Sequence, residues 1–175
     1  VEPTIFSTHQ SAVLDDFARR GKVELGLHPN FLAGSSHGAS VDEVLDTLLG
    51  WFPAAKSFRS HLYVESTPIL LAMRQRGMLY DSNLCLYLQP RLEPLLHATS
   101  LVRFPVFWED DVHWTRDGDW DFARYLDAFL TPGLKVIDVH PIHVACNTPN
   151  DEFYQRVKPS TTTMTGAEAA RLRHP

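Results

Sequence analysis

The chain holds 175 residues, 44% of them hydrophobic and 21% charged, a globular composition that excludes general disorder. Its 16 Lys and Arg against 21 Asp and Glu leave a net charge of −5, which argues against bulk binding to nucleic acid or to an anionic membrane. No apolar run reaches the roughly 18 to 20 residues of a membrane span. The start, Val1-Glu2-Pro3-Thr4, has neither the basic residues nor the apolar core of a signal peptide. Cys85 and Cys146 lie far apart, so a disulfide framework is excluded and a reducing cytoplasm is expected. The length predicts a single domain over residues 1–175.

In chain order, short apolar strands alternate with amphipathic stretches, the pattern of an α/β domain with a mainly parallel sheet. Thr4 to Thr8 is a strand, and Ser11 caps a helix through Arg20 with Val13, Leu14 and Phe17 on one face and Gly21 at its exit. Val23 to Leu27 is a second strand ending at His28, followed by a breaker-rich loop from Pro29 to Ser40. Ser40-Val41-Asp42-Glu43 is a capping box opening a helix buried through Val44, Leu45, Leu48 and Leu49. Ser57-Phe58-Arg59 is a short strand, and Thr67-Pro68 starts a helix that Gly77 ends. Met78 to Asp81 and Leu101 to Phe107 are two more strands. Trp120 to Leu130 is a helix closed by Pro132-Gly133, and Val136 to Val139 is a buried strand before His140.

His28, Arg59, Asp81 and His140 thus fall at or just beyond the C-terminal ends of strands, the rim on which parallel α/β folds carry their active sites. Nine histidines are many for this length. His28 and His37 bracket a loop that can turn both imidazoles to one ion, or are simply polar surface residues. His140 suits a general acid or base, or a turn histidine bonded to backbone. Trp108-Glu109-Asp110-Asp111 sets three carboxylates beside an indole, where they bind a cation, tune a neighbouring pKa or face water. Arg59 can grip a carboxylate bidentately or lie on the surface. Cys85 and Cys146 read as small apolar packing residues. Phosphate-loop, dinucleotide and serine-hydrolase signatures are missing from the sequence.

Six stretches, in order, resemble the polysaccharide deacetylases with a NodB-type domain. They are Pro3-Thr4-Ile5-Phe6, Glu24-Leu25-Gly26-Leu27-His28, Phe58-Arg59-Ser60-His61, Gly77 to Asn83, Phe104 to Asp111, and Val136 to Pro141. Phe104 to Asp111 is similar to the allantoinase-like and peptidoglycan-deacetylase-like branch, whereas Pro29-Asn30 and His140-Pro141-Ile142-His143 resemble the WbmS-type deacetylases. The resemblance implies a deformed barrel of mainly parallel strands. It further implies a divalent metal, zinc first with cobalt, nickel or manganese as alternatives, held by one Asp and two His. By position, His28 is the first metal histidine, His140 the acid, and Arg59 the holder of the catalytic carboxylate. Asp81 or the Asp110–Asp111 pair would tune the histidine. Asn30, His61, Trp108 and His143 are candidate substrate contacts.

Two departures accompany the resemblance. The family's second metal histidine falls four residues after the first, at Leu32 here, so His37 is expected to replace it, with Asn30 or His61 as alternatives. The strand carrying the family's Asp-Asp motif is not in this sequence, so the chain is expected to be truncated at its N-terminus. The implied function is removal of N-acetyl groups from a carbohydrate of a surface polysaccharide or its precursor by metal-activated water. Alternatives are a non-catalytic carbohydrate-binding domain and a hydrolase of another C–N bond. The implied partner is an N-acetylated sugar, with no nucleic acid, no membrane span, and homo-oligomerisation left open.

Overall fold

The computed structural model describes residues 2–161 and 164–175. The elements are β1 (Thr4–Ser7), α1 (Ala12–Arg19), β2 (Glu24–Leu27), α2 (Val41–Trp51), β3 (Ser57–Phe58), α3 (Thr67–Gln75), β4 (Tyr80–Asp81) and β5 (Leu95–Leu96). They continue with β6 (Val102–Arg103), β7 (Val106–Glu109), α4 (Asp110–Asp117), α5 (Leu126–Leu130), β8 (Val136–Asp138), α6 (Pro141–Cys146), α7 (Asp151–Val157) and α8 (Gly166–Leu172). No described helix is long and apolar enough to cross a membrane. The chain divides into two compact units, Val1–Leu84 with Glu93–Pro105, and Cys85–Leu92 with Val106–Pro175.

In the first unit the strands lie in the order β1-β2-β3-β4-β6-β5, all neighbours parallel except β5, which runs antiparallel to β6. The parallel α/β reading therefore holds, while closure into a barrel is not seen among the described strands. Thr4 to Ser7 pairs in register with Glu24 to Leu27, which sets Phe6 opposite Gly26. A Cβ on Gly26 would sit 2.7 Å from the Phe6 ring and 2.8 Å from the Ser57 hydroxyl, so this crossing needs glycine. Helix α1 starts where Ser11 accepts the Leu14 N–H and ends before Gly21 in the left-handed region. Its apolar face is not covered, however: Val13 is 65% exposed and Phe17 41%.

Ser40 accepts the Glu43 N–H as the capping box predicts, but Glu43 reaches back to the Ala39 N–H rather than to that of Ser40. The start of α2 is thereby fixed, and Val44, Leu45 and Leu48 join Leu27, Phe58, Leu70, Met73, Met78 and Leu101 in one aliphatic core. Each such side chain contributes about 1.5–3 kcal/mol by leaving water.

The second unit is built on β7 and β8, which pair in parallel from Val106 with Val136, with a register shift between Val106 and Trp108. Its core is ring-rich: Phe107 and Trp108 pack with Leu92, Trp120 and Phe129. A separate cluster of Cys146, Phe153 and Val157 joins α6 to α7, so Cys146 is the packing residue expected of it. Three expectations are corrected here. Leu101 to Phe107 is not one strand, because Pro105, with no N–H for a ladder, separates β6 from β7 and the two enter different sheets. The helix from Trp120 shrinks to α5 and a preceding 3-10 turn, because Asp119 and Asp121 take the N–H groups of Asp121 and Ala123 and hold the chain in turns. Val136 to Val139 is not buried: Ile137 and Val139 are about half exposed on the second strand of a two-stranded sheet.

Candidate functional site

In the first unit the strand ends are prolonged by single backbone bonds that place the rim residues. The His28 N–H donates to the Ser7 carbonyl, that of Arg59 to Leu27, and that of Ser82 to Phe58. His28 follows β2 and His61 opens the turn after β3, where the His61 N–H is held by the Pro29 carbonyl. Their rings meet edge to face, with centroids 5.8 Å apart. His37 is elsewhere engaged, which corrects the expected ligand pair. Its Nε2–H donates to the Thr8 carbonyl at 2.8 Å and its Nδ1 accepts the Asn30 N–H at 3.3 Å. With one nitrogen protonated and the other's lone pair taken, the buried ring pins the Pro29–Ser40 loop instead of binding an ion. Asn30 is also part of that loop's frame, since its side-chain oxygen accepts the Leu32 N–H.

Arg59 is buried, its guanidinium over the Phe6 ring at 4.7 Å and donating to the Ser82 carbonyl and hydroxyl. Asp81 is not the histidine's carboxylate. Both its oxygens accept from Arg103 Nε, at 2.8 and 3.1 Å, and Arg103 also pairs with Glu65. An arginine between Val102 and Phe104 in a strand is the sequence signal that marks this ion pair.

The second unit gathers four ionisable residues at the ends of its two strands. Asp110 begins α4 directly after β7, and His140 caps α6 two residues after β8. The Asp110 carboxylate takes both the His140 ring and its backbone: Nδ1–H donates to one oxygen at 2.6 Å and the N–H to the other at 2.7 Å. The ring is therefore fixed in position and tautomer. The hydrogen bond to Asp110 lifts the imidazole from its ordinary 6.5 to about 9, outweighing partial burial. One residue along, His143 Nε2–H donates to Asp111 at 2.9 Å while Nδ1 meets the Thr148 hydroxyl at 3.1 Å. That bond holds Asp111 below the usual carboxylate range, against the opposing effect of burial.

Helix α4 is anchored by His113, fully buried one turn beyond Asp110 and stacked on Trp120 and Phe122. Trp108 belongs to the same packing. It is 5% exposed and lies against Phe122 and His113, which corrects its expected role as a substrate contact.

Ligand atoms of Asp110, Asp111, His140 and His143 all lie within 4.8 Å of one another, a spacing that suits a cation. The hydrogen bonds among them argue for a different use. Each carboxylate already accepts from an imidazole, which occupies His140 Nδ1 and His143 Nε2. The arrangement can hold a proton between carboxylate and imidazole. The imidazoles of His28 and His61, in edge-to-face contact beyond β2, are also of a donor type that divalent ions take.

The model of the WbmS-like polysaccharide deacetylase family matches residues 1–158. Among solved structures, WbmS from Bordetella bronchiseptica, assigned as a polysaccharide deacetylase involved in O-antigen biosynthesis, superposes with a TM-score of 0.85 at 35% identity. The match covers 99% of this chain and 73% of that one. No curated protein matches the chain. With six ordered motifs, parallel strands carrying polar residues at their ends, and a match over most of its length, the chain belongs to the WbmS-like polysaccharide deacetylases.

Proposed function

We propose that this chain carries out hydrolysis of an N-acetyl group on a sugar of an O-antigen-type surface glycan or its precursor. The observation that carries the reading is the Asp110–His140 pair. Water adds to the acetamide carbonyl, the C–N bond breaks, and acetate and a sugar amine are formed. An amine leaves an acyl carbon readily only when protonated. An imidazolium charged at neutral pH, with Nδ1 committed to Asp110, donates from Nε2. Asp110 orients the ring and stabilises its charge. Family membership supports the reaction class, and the O-antigen role given to WbmS supports the substrate class.

His28 and His61 are the residues we assign to a divalent ion, zinc in the first instance, which when bound would polarise the acetamide carbonyl and acidify a water. Arg59, buried beside Ser82, is assigned to hold a reacting carboxylate in place. The test is acetate release from N-acetylated oligosaccharides by the full-length protein, with metal content measured in parallel. His28→Ala should lose both metal and acetate release, and His140→Ala acetate release alone. Glycan binding without acetate release under zinc, cobalt, nickel or manganese would overturn the hydrolytic reading in favour of a binding domain.

A further inference from the structure

Next to the Asp110–His140 pair the second unit holds a cavity of about 230 Å³ that proton transfer does not use. Asp111 lies in its wall, and an oxygen of that carboxylate is 3.7 Å from His140 Nδ1, so the cavity neighbours the Asp110–His140 pair. Trp114, Trp120 and Tyr154 also line it. The two indoles are 5.3 Å apart, and Tyr154 is held at 4.7 Å from the His143 ring. Asp151 and Lys158, both exposed, complete the lining with one anion and one cation.

Aromatic side chains beside hydrogen-bonding side chains of both signs match one ligand class closely. A pyranose offers an apolar face of C–H groups to an aromatic ring and a rim of hydroxyls to carboxylate and ammonium groups. The volume sits below the ~300–1,000 Å³ of pockets for larger ligands, which limits the occupant to a single ring. His143 cannot itself be a second acid here, because Asp111 and Thr148 engage both its nitrogens; it serves as wall. We propose that this cavity is a subsite for the sugar adjoining the one that loses its acetyl group, so that the enzyme reads a glycan of at least two residues. The proposal rests on the deacetylase reading.

Calorimetric titration of the full-length protein with N-acetylglucosamine and with N-acetylated trisaccharides of gluco and galacto configuration tests it. Trp114→Ala should weaken the best-bound trisaccharide about tenfold, the upper range for loss of an aromatic partner, and the monosaccharide less than about twofold. Trp114→Phe, which keeps a ring, should restore most of the affinity and guards against a folding defect. Equal loss on both ligands, no loss on either, or no trisaccharide binding by the parent overturns the subsite. Because titration needs no turnover, the two readings separate. A selective Trp114 effect without acetate release keeps the subsite and removes the hydrolase; acetate release that ignores Trp114→Ala does the reverse.

Discussion

The two units pair their strand-end carboxylates with different basic side chains. In the first, under an aliphatic core, Asp81 is paired with Arg103, and Arg103 with Glu65. In the second, packed around rings, Asp110 and Asp111 are paired with His140 and His143. A guanidinium keeps its charge at any pH a protein survives, so the first arrangement is locked. An imidazole can give its proton away and take it back, so the second can do chemistry. The same sequence pattern, an acidic residue at a strand end, thus serves as scaffold in one unit and, in the mechanism proposed above, as acid–base machinery in the other.

The contrast is broken most directly at His140. His140→Ala should lower turnover in acetate release by about 10²- to 10⁴-fold, the usual contribution of a general acid, while its cost in stability should stay below that of Asp81→Ala because the ring is 42% exposed and water screens its pair with Asp110. Asp81→Ala should show the opposite balance. It leaves a buried Arg103 with Glu65 alone, and urea unfolding should report a loss of about 3–5 kcal/mol. An Asp81 variant as stable as the parent would mean the first unit's ion pair is not a structural lock.

The pH dependence sharpens the same comparison. His140 is raised to about 9, so its contribution to stability is complete below its ordinary 6.5 and disappears as pH rises through about 9. Activity should fall over that basic limb, and Asp110→Asn should draw the limb down toward 6.5, as read by NMR titration of the ring and by the rate profile. Asp111, lowered by His143, contributes stability above the ordinary carboxylate range that is lost as pH falls through its depressed value. The Arg103 pair should add nothing to the basic limb. The smallest effect is Ser40→Ala, which removes the cap of α2 and should cost about 1 kcal/mol in the first unit without touching the basic limb.

Strand ends were legible because short apolar runs such as Thr4–Ser7 and Glu24–Leu27 announce them, and the residue that follows is then a rim residue by geometry alone. That logic finds His28 and His140, and the acidic run Glu109-Asp110-Asp111 at the end of β7 points to the carboxylate. It cannot choose His61 over His37. The choice depends on where the Pro29–Ser40 loop spends its hydrogen bonds, and the bond from Asn30 N–H to His37 Nδ1 follows from no local pattern. Trp114 and Tyr154 were hidden for another reason. They sit on α4 and α7, helices of eight and seven residues, too short for an apolar period to stand out. The break at Pro105 was written in the sequence, but proline in an apolar run marks an interruption without saying that the two halves join different sheets.

Gly26 bears on how a survey of variants of this protein would be interpreted. It has no side chain and takes no part in any reaction step, yet any larger residue there collides with the Phe6 ring, and Phe6 is the surface on which the Arg59 guanidinium rests. A substitution at Gly26 therefore reaches Arg59 through one intervening ring. In a screen scored on product alone, position 26 would rank among the reactive residues, and only a parallel measure of how much folded protein each variant yields would tell a displaced support from a missing reagent.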